Sequence, residues 1–191
     1  EGALSLIYGA PGTQKSFVFQ RRVAEALRSA GLEAPAIGYL YASCTLGRKS
    51  LAEEVARQFG VYPERVAHRT INNLVFALRR RKQRAVLIVD EAQHLGGALE
   101  LLEILRELVD RGRLGLIVAG HDRLERIFDP KFSPLEQFVQ RFDYRLRLPG
   151  LSKDEVRSIA AAELGPLPER PHEAIQKGSE AADRQPRSTY Y

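Results

Sequence analysis

Two short runs of this chain have residue types and spacings suited to handling phosphate. The first is Gly9-Ala10-Pro11-Gly12-Thr13-Gln14-Lys15-Ser16. It matches the phosphate-binding loop Gly-x-x-x-x-Gly-Lys-Ser/Thr at every fixed position except Gln14, where the pattern asks for glycine. In such a loop consecutive backbone N–H groups curl around an anion, and the helix that follows adds the positive end of its dipole. Lys15 would reach the outer phosphates of a nucleotide, and the Ser16 hydroxyl would ligate Mg2+. A glycine-rich turn between strand and helix is the alternative. The second run is Asp90-Glu91, directly after the apolar stretch Ala85-Val86-Leu87-Ile88-Val89. Asp90 would hold Mg2+ beside Ser16, and Glu91 would accept a proton from, or orient, the water attacking a γ-phosphate. A solvated acidic turn is the plainer reading of the pair.

Other polar residues are candidates around these two. His121 follows a further apolar run and could touch both a γ-phosphate and the attacking water, or it could cap the helix that begins at Asp122. Arg141, in Phe138-Val139-Gln140-Arg141-Phe142, could stabilise transition-state charge in a neighbouring subunit, or pair with an acid on its own surface. Arg187, after Pro186, could contact the same phosphates from the chain's last segment, or be solvated. For a polyanion the candidates are Arg48 and Lys49, read as lying in a loop after the second strand, and the run Arg79-Arg80-Arg81-Lys82 with Arg84. That run could be a phosphate-contacting patch, though a solvated helix end is the favoured reading. Tyr39 and Tyr41 read as packing residues.

Alternating strands and helices must position these groups. Leu4 to Tyr8 is an apolar strand running into the glycine loop, and Ser16 to Ala30 is a helix ended by Gly31. Residues 36–41 form a β-rich strand. Ser50 to Phe59 and Arg65 to Arg80 carry apolar residues at helical spacing. The unbroken run 85–89 predicts a strand buried on both faces of a parallel sheet. Gly97 to Arg111 is amphipathic, with Leu102, Leu105 and Val109 on one side and Glu100, Glu103 and Glu107 on the other. Residues 114–119 form another buried strand, 135–142 a helix, and 144–148 a final half-exposed strand. The fold class is therefore α/β: a parallel sheet covered on both faces, with ligands at the carboxyl ends of its strands. The 9–16 loop, Asp90-Glu91 and His121 all fall on that edge.

After Pro149-Gly150 the character changes, which divides the chain into an αβα domain over 1–149 and a small helical subdomain over 150–191. Ser152 and Glu155 form a capping box at a helix start. Gly165-Pro166-Leu167-Pro168 is a link, and 171–182 look helical. Absence of methionine, a strand almost at residue 1, and an end inside a helix start suggest a piece of a longer protein with an incomplete second subdomain.

Composition agrees with a soluble domain. The hydrophobic share is 44%, enough for a core, and 28% of residues are charged. One cysteine, Cys44, excludes an internal disulfide and any multi-cysteine metal site, which fits a cytoplasmic location. No apolar run is long enough to cross a membrane. The net charge of +5 favours an acidic partner, nucleic acid above all.

With these segments in hand, the chain resembles the AAA+ ATPases over nearly its whole length. Within them it is similar to the branch holding the phage Mu transposition protein B, transposon target-selection ATPases and the ExeA secretion ATPase. Residues 9–16 resemble Walker A, and Val86 to Leu95, ending Asp-Glu-Ala-Gln-His-Leu, resemble Walker B. Gly115 to His121 looks like the strand leading to sensor 1, residues 138–142 like the arginine-finger segment, and Gln185-Pro186-Arg187 like the sensor 2 entry.

The resemblance implies ATP and Mg2+ bound between an αβα domain and a helical lid, with self-association into a filament or ring. It further implies assembly on duplex DNA, with Arg48 and Lys49 as contacts, and recruitment or stimulation of a transposase. An ExeA-like secretion ATPase and a nucleotide-binding scaffold with little hydrolysis are the alternatives. A side chain at Gln14, beside the phosphates, makes binding with weak turnover the expectation.

Overall fold

A computed structural model describes residues 3–10, 23–31, 36–96, 98–131, 133, 135–150 and 152–164. Pro11, Gly12, Thr13, Gln14, Lys15 and Ser16, the helix expected up to residue 22, and Arg187 with all of 165–191 lie outside these residues. The chain divides into two compact units, Glu1–Pro149 and Gly150–Tyr191.

The first unit is built on five strands: β1 (Leu4–Gly9), β2 (Ile37–Tyr41), β3 (Val86–Asp90), β4 (Gly115–His121) and β5 (Tyr144–Leu148). Every pairing is parallel, in the order β2-β3-β4-β1-β5. Parallel neighbours need crossover connections, and the helices supply them. These are α1 (Ala24–Ser29), α2 (Arg48–Gln58), α3 (Ala67–Arg79), α4 (Leu99–Gly112), α5 (Arg123–Ile127) and α6 (Glu136–Val139).

Side chains of successive strand residues point to opposite faces, so each strand feeds two layers. Leu6, Leu40, Leu87, Val89, Leu116 and Val118 join a large core with Leu51 of α2, Leu74 of α3 and Leu105 of α4. On the other face Ile88 and Ala119 meet Ile7, Ile37, Tyr39, Ile117 and Leu27 of α1. This two-sided burial is why residues 85–89 and 114–119 are continuously apolar.

The order also sets where a ligand goes. From β1 the chain crosses to the far edge at β2 and returns through β3 and β4, then passes to β5 on the other side of β1. The crevice at the carboxyl ends of β1 and β4 is thus a topological switch point, the usual ligand position in open α/β sheets.

Three expectations are corrected. Helix α2 opens at Arg48 rather than Ser50, so Arg48 and Lys49 form its first turn and do not lie in a loop. Gly47 is its extended N-cap, and Ser50 accepts the Gly47 N–H at 2.9 Å from three residues into the motif. The serine that looks like a helix start is the inner half of the cap. Helix α6 is one turn, Glu136–Val139, rather than 135–142. The Val139 carbonyl accepts from Phe142 N and from Arg145 Nη2 at 3.0 Å, and that draws the chain out of α-geometry. Phe142 then packs edge-on against Phe128 and Phe138. Strand β5 is the sheet edge, and Tyr144 and Leu146 are 68% and 52% exposed rather than half-covered.

In the second unit α7 (Lys153–Leu164) starts with the expected capping box. Ser152 N–H donates to Glu155 Oε2 at 2.7 Å, and Glu155 N–H donates to Ser152 Oγ at 3.2 Å. The Ser152 backbone N–H, and after it the Ser152 hydroxyl, hold the Glu155 carboxyl below its ordinary pKa.

Candidate functional site

Strand register brings the candidate residues to one level of one sheet edge. Gly9, the last residue of β1, pairs with His121, the last of β4. On the other side of β4, Val89 pairs with Val118, which sets Asp90 level with Ala119, two residues below that level. With neighbouring strands separated by about 4.8 Å, β3 and β1 stand about 10 Å apart with β4 between them. The chain leaves β1 through Gly9 and Ala10 at this level. Gly9 has a local reason to be glycine: a Cβ there would overlap the carbonyl oxygen of Leu148 on β5.

Asp90 is fully buried. Its Oδ2 accepts from the Tyr39 hydroxyl at 2.7 Å, and its Oδ1 accepts from the Glu91 N–H at 2.9 Å. Both residues lie on the sheet face that carries Ile88 and α1. A carboxylate has about four acceptor positions, so two donors leave capacity toward a hydrated cation. Tyr39, read from sequence as packing, therefore also anchors the acid. Its signal was its place on the strand next to β3, visible only once β2 and β3 are known to pair.

Glu91, directly after β3, adopts a left-handed conformation, φ 54° and ψ 32°. A non-glycine residue there costs about 1–2 kcal/mol, and such strain collects at functional sites. The turn swings the chain into a short 3-10 segment, Ala92–Leu95. That segment carries Gln93 back toward the strand: Gln93 Nε2 donates to Glu91 Oε2 at 2.5 Å, while Gln93 Oε1 accepts the His121 N–H at 3.0 Å. A backbone N–H can only donate and a carboxylate can only accept, so the amide's orientation is fixed by its partners.

His121 shows its capping role. Its Nδ1 accepts the Arg123 N–H at 3.3 Å, at the first turn of α5. In the neutral ring the proton then sits on Nε2, which leaves a donor for another group. Arg141 forms an ion pair with Asp110 at the end of α4, the partnership its sequence context left open. Lys49 pairs with Glu53 at 3.7 Å. Arg48 lines an open groove of about 490 Å³ with His68, Glu100, Glu103, Glu107 and Arg111. In the basic run 79–84, Arg81 Nη2 donates to the Phe59 carbonyl at 2.6 Å and Arg80 stacks on Phe76. These two arginines hold helix ends. Among the described residues no three His, Cys, Asp or Glu side chains form a metal-binding group, and no helix is long and apolar enough to cross a membrane.

Comparison with known proteins agrees with this layout. A family model described as an AAA domain matches residues 1–128. No curated protein sequence matches. Among solved structures, the ORC2 protein of Aeropyrum pernix, in ADPNP–ADP complexes, is 22% identical with a TM-score of 0.63 and covers 83% of this chain and 44% of its own. The ORC1 protein of the same organism, solved in complex with DNA, is 17% identical with a TM-score of 0.65 and covers 85% and 43%. Cdc6p of Pyrobaculum aerophilum is 20% identical with a TM-score of 0.64 and covers 81% and 41%. The chain spans less than half the length of each, and at these identities the likeness is one of fold. Its parallel sheet, flanking helices and strand-end acids have the αβα P-loop arrangement of AAA+ ATPases, and the match over residues 1–128 shows that the chain belongs to the AAA-domain family.

Proposed function

We propose that this chain is an ATP-dependent, DNA-binding AAA+ regulator of transposition, which assembles on duplex DNA and recruits or stimulates a transposase. The observation that carries the ATPase part is the Asp90-Glu91 pair, one acid buried and doubly held, the other turned out at the strand end beside His121. Gly9, Ala10, Pro11, Gly12, Thr13, Gln14, Lys15 and Ser16 hold the phosphates. Ser16 and Asp90 would hold Mg2+, which would supply positive charge to the phosphoryl group being transferred. Glu91 accepts a proton as a water oxygen attacks the γ-phosphorus and ADP leaves. His121 offers Nε2–H to the γ-phosphate, and Arg141 exchanges Asp110 for a neighbouring subunit's nucleotide.

The DNA part rests on the net charge of +5, on Arg48 and Lys49, and on a structure of similar fold solved in complex with DNA. Cations in the first turn of a helix oppose its dipole by about 0.3–1 kcal/mol each, a cost that an anion bound at the same end removes. Transposition is suggested by the Asp-Glu-Ala-Gln-His-Leu form of residues 90–95 followed by a Leu/Glu-rich helix. A cytoplasmic location goes with this reading.

DNA-stimulated ATPase activity, and oligomers seen by electron microscopy only with ATP and duplex DNA, are the expected results. ATP-independent monomers that ignore DNA overturn the proposal. Gln14 favours a second reading, a nucleotide-binding scaffold with little hydrolysis. Nucleotide titration and turnover of the chain and of Gln14→Gly separate the two: tight binding with turnover rising only in Gln14→Gly supports the scaffold.

A further inference from the structure

Gln93 has no role in the proposed mechanism, yet its amide is held at both ends beside Glu91. It spans two elements, the 3-10 segment Ala92–Leu95 and the end of β4. Each end of its amide has one partner: Glu91 Oε2 at 2.5 Å and the His121 N–H at 3.0 Å. The packing around it is also built for it. A Cβ at Gly120 would overlap Gln93 Oε1 and come within 3.2 Å of Ala92 N, so β4 approaches the segment as closely as it does only because residue 120 is glycine. Glu91 has two freely rotating torsions beyond its Cβ, and its backbone sits in the left-handed region. Without an anchor its carboxylate would sample several rotamers around this half-buried turn.

Resting on the ATPase reading above, we propose that Gln93 is a positioning residue: it clamps one oxygen of Glu91 against the end of β4, so that the other oxygen is aimed at the hydrolytic water in fixed register with His121. The clamp ties the proton acceptor to the strand that carries His121 and leaves Oε1 of Glu91 as the free acceptor. Misplacing a catalytic group by about 1 Å costs on the order of a hundredfold in rate. The residue touches neither phosphate nor metal in this scheme, so its effect belongs to turnover rather than to binding.

The test is steady-state ATP hydrolysis and fluorescent-nucleotide binding on the whole chain, for wild type, Gln93→Ala, Gln93→Glu and Glu91→Gln. Gln93→Ala is expected to lower kcat on the order of a hundredfold while nucleotide affinity stays within about threefold. Gln93→Glu is nearly isosteric and can still accept the His121 N–H, so it keeps the fold if Gln93→Ala does not. It places a carboxylate against Glu91, whose like charge displaces it, and is expected to lose kcat similarly, with the melting temperature lowered by only a few degrees. Adding Gln93→Ala to Glu91→Gln should cost nothing further, because the clamp acts through Glu91. Wild-type turnover with kcat unchanged in both Gln93 variants, or a loss confined to nucleotide affinity, overturns the positioning role alone. A wild-type chain that binds no nucleotide overturns the ATPase reading and this proposal with it.

Discussion

The Tyr39–Asp90 hydrogen bond offers the most direct physical test of the site as built. Tyr39→Phe deletes one oxygen and keeps the ring that packs beside Ile88 on the α1 face. The bond it removes is 2.7 Å long and ends on a carboxylate with no exposed surface. Hydrogen bonds to charged groups contribute about 1.5–3 kcal/mol, and the full value applies where the orphaned partner stays buried. Asp90 keeps the Glu91 N–H at its other oxygen, so it remains positioned. The expected loss is therefore about 1.5–3 kcal/mol of folding stability, without collapse of the site. In urea, with a slope of about 2 kcal/mol/M, the unfolding midpoint should fall by about 0.7–1.5 M. Equilibrium urea unfolding followed by circular dichroism measures it. A loss below about 0.5 kcal/mol would refute the reasoning, because it would mean that the hydroxyl does no more for Asp90 than water does.

Further outcomes follow from other contacts. Gly9→Ala drives a Cβ into the Leu148 carbonyl oxygen, and should cost about 1–3 kcal/mol in thermal unfolding while loosening the β1–β5 pairing in hydrogen exchange. The Glu155 pKa is lowered by the Ser152 bonds, so the capping of α7 is fully present above the unfolded-state carboxylate value and is lost as pH falls through the folded value. NMR titration should show this as fraying at Ser152, and Glu155→Gln should remove the dependence. Tyr8 donates to Glu125 and is buried; that burial, with Glu125 second, raises its pKa. Stability should hold up to the ordinary tyrosine range and fall as pH rises from there toward the folded value, a slope that Tyr8→Phe abolishes. If Arg141 serves a neighbour's nucleotide, then mixing Arg141→Ala with Glu91→Gln subunits should restore part of the ATPase activity that each lacks. No restoration would leave Arg141 as the partner of Asp110.

Much of this protein was legible in one dimension. Unbroken apolar runs at 85–89 and 114–119 announced a sheet buried on both faces, because only a strand covered twice is free of alternating polar residues. Asp90-Glu91 follows the first run and Gly120-His121 the second, and strand ends are where open parallel sheets hold ligands, so the sequence nominates these residues as candidates. The capping box at Ser152 and Glu155 was readable for the same reason: its partners are three residues apart and need no fold to meet.

Contacts between distant segments were decided by the tertiary structure alone. Tyr39 reaches Asp90 because β2 is the neighbour of β3, a pairing of residues 51 positions apart that no local pattern encodes. Gln93 meets the His121 N–H only because β4 lies beside β3 with a glycine at 120. Arg141 finds Asp110 across 31 residues, and Arg48 lies among the carboxylates of α4, so their charges are set in a context that composition cannot convey. Residue type and strand periodicity determined which groups could act on a phosphate and on which edge. Strand order and register, which depend on how the whole core packs, decided which side chains hold those groups in place.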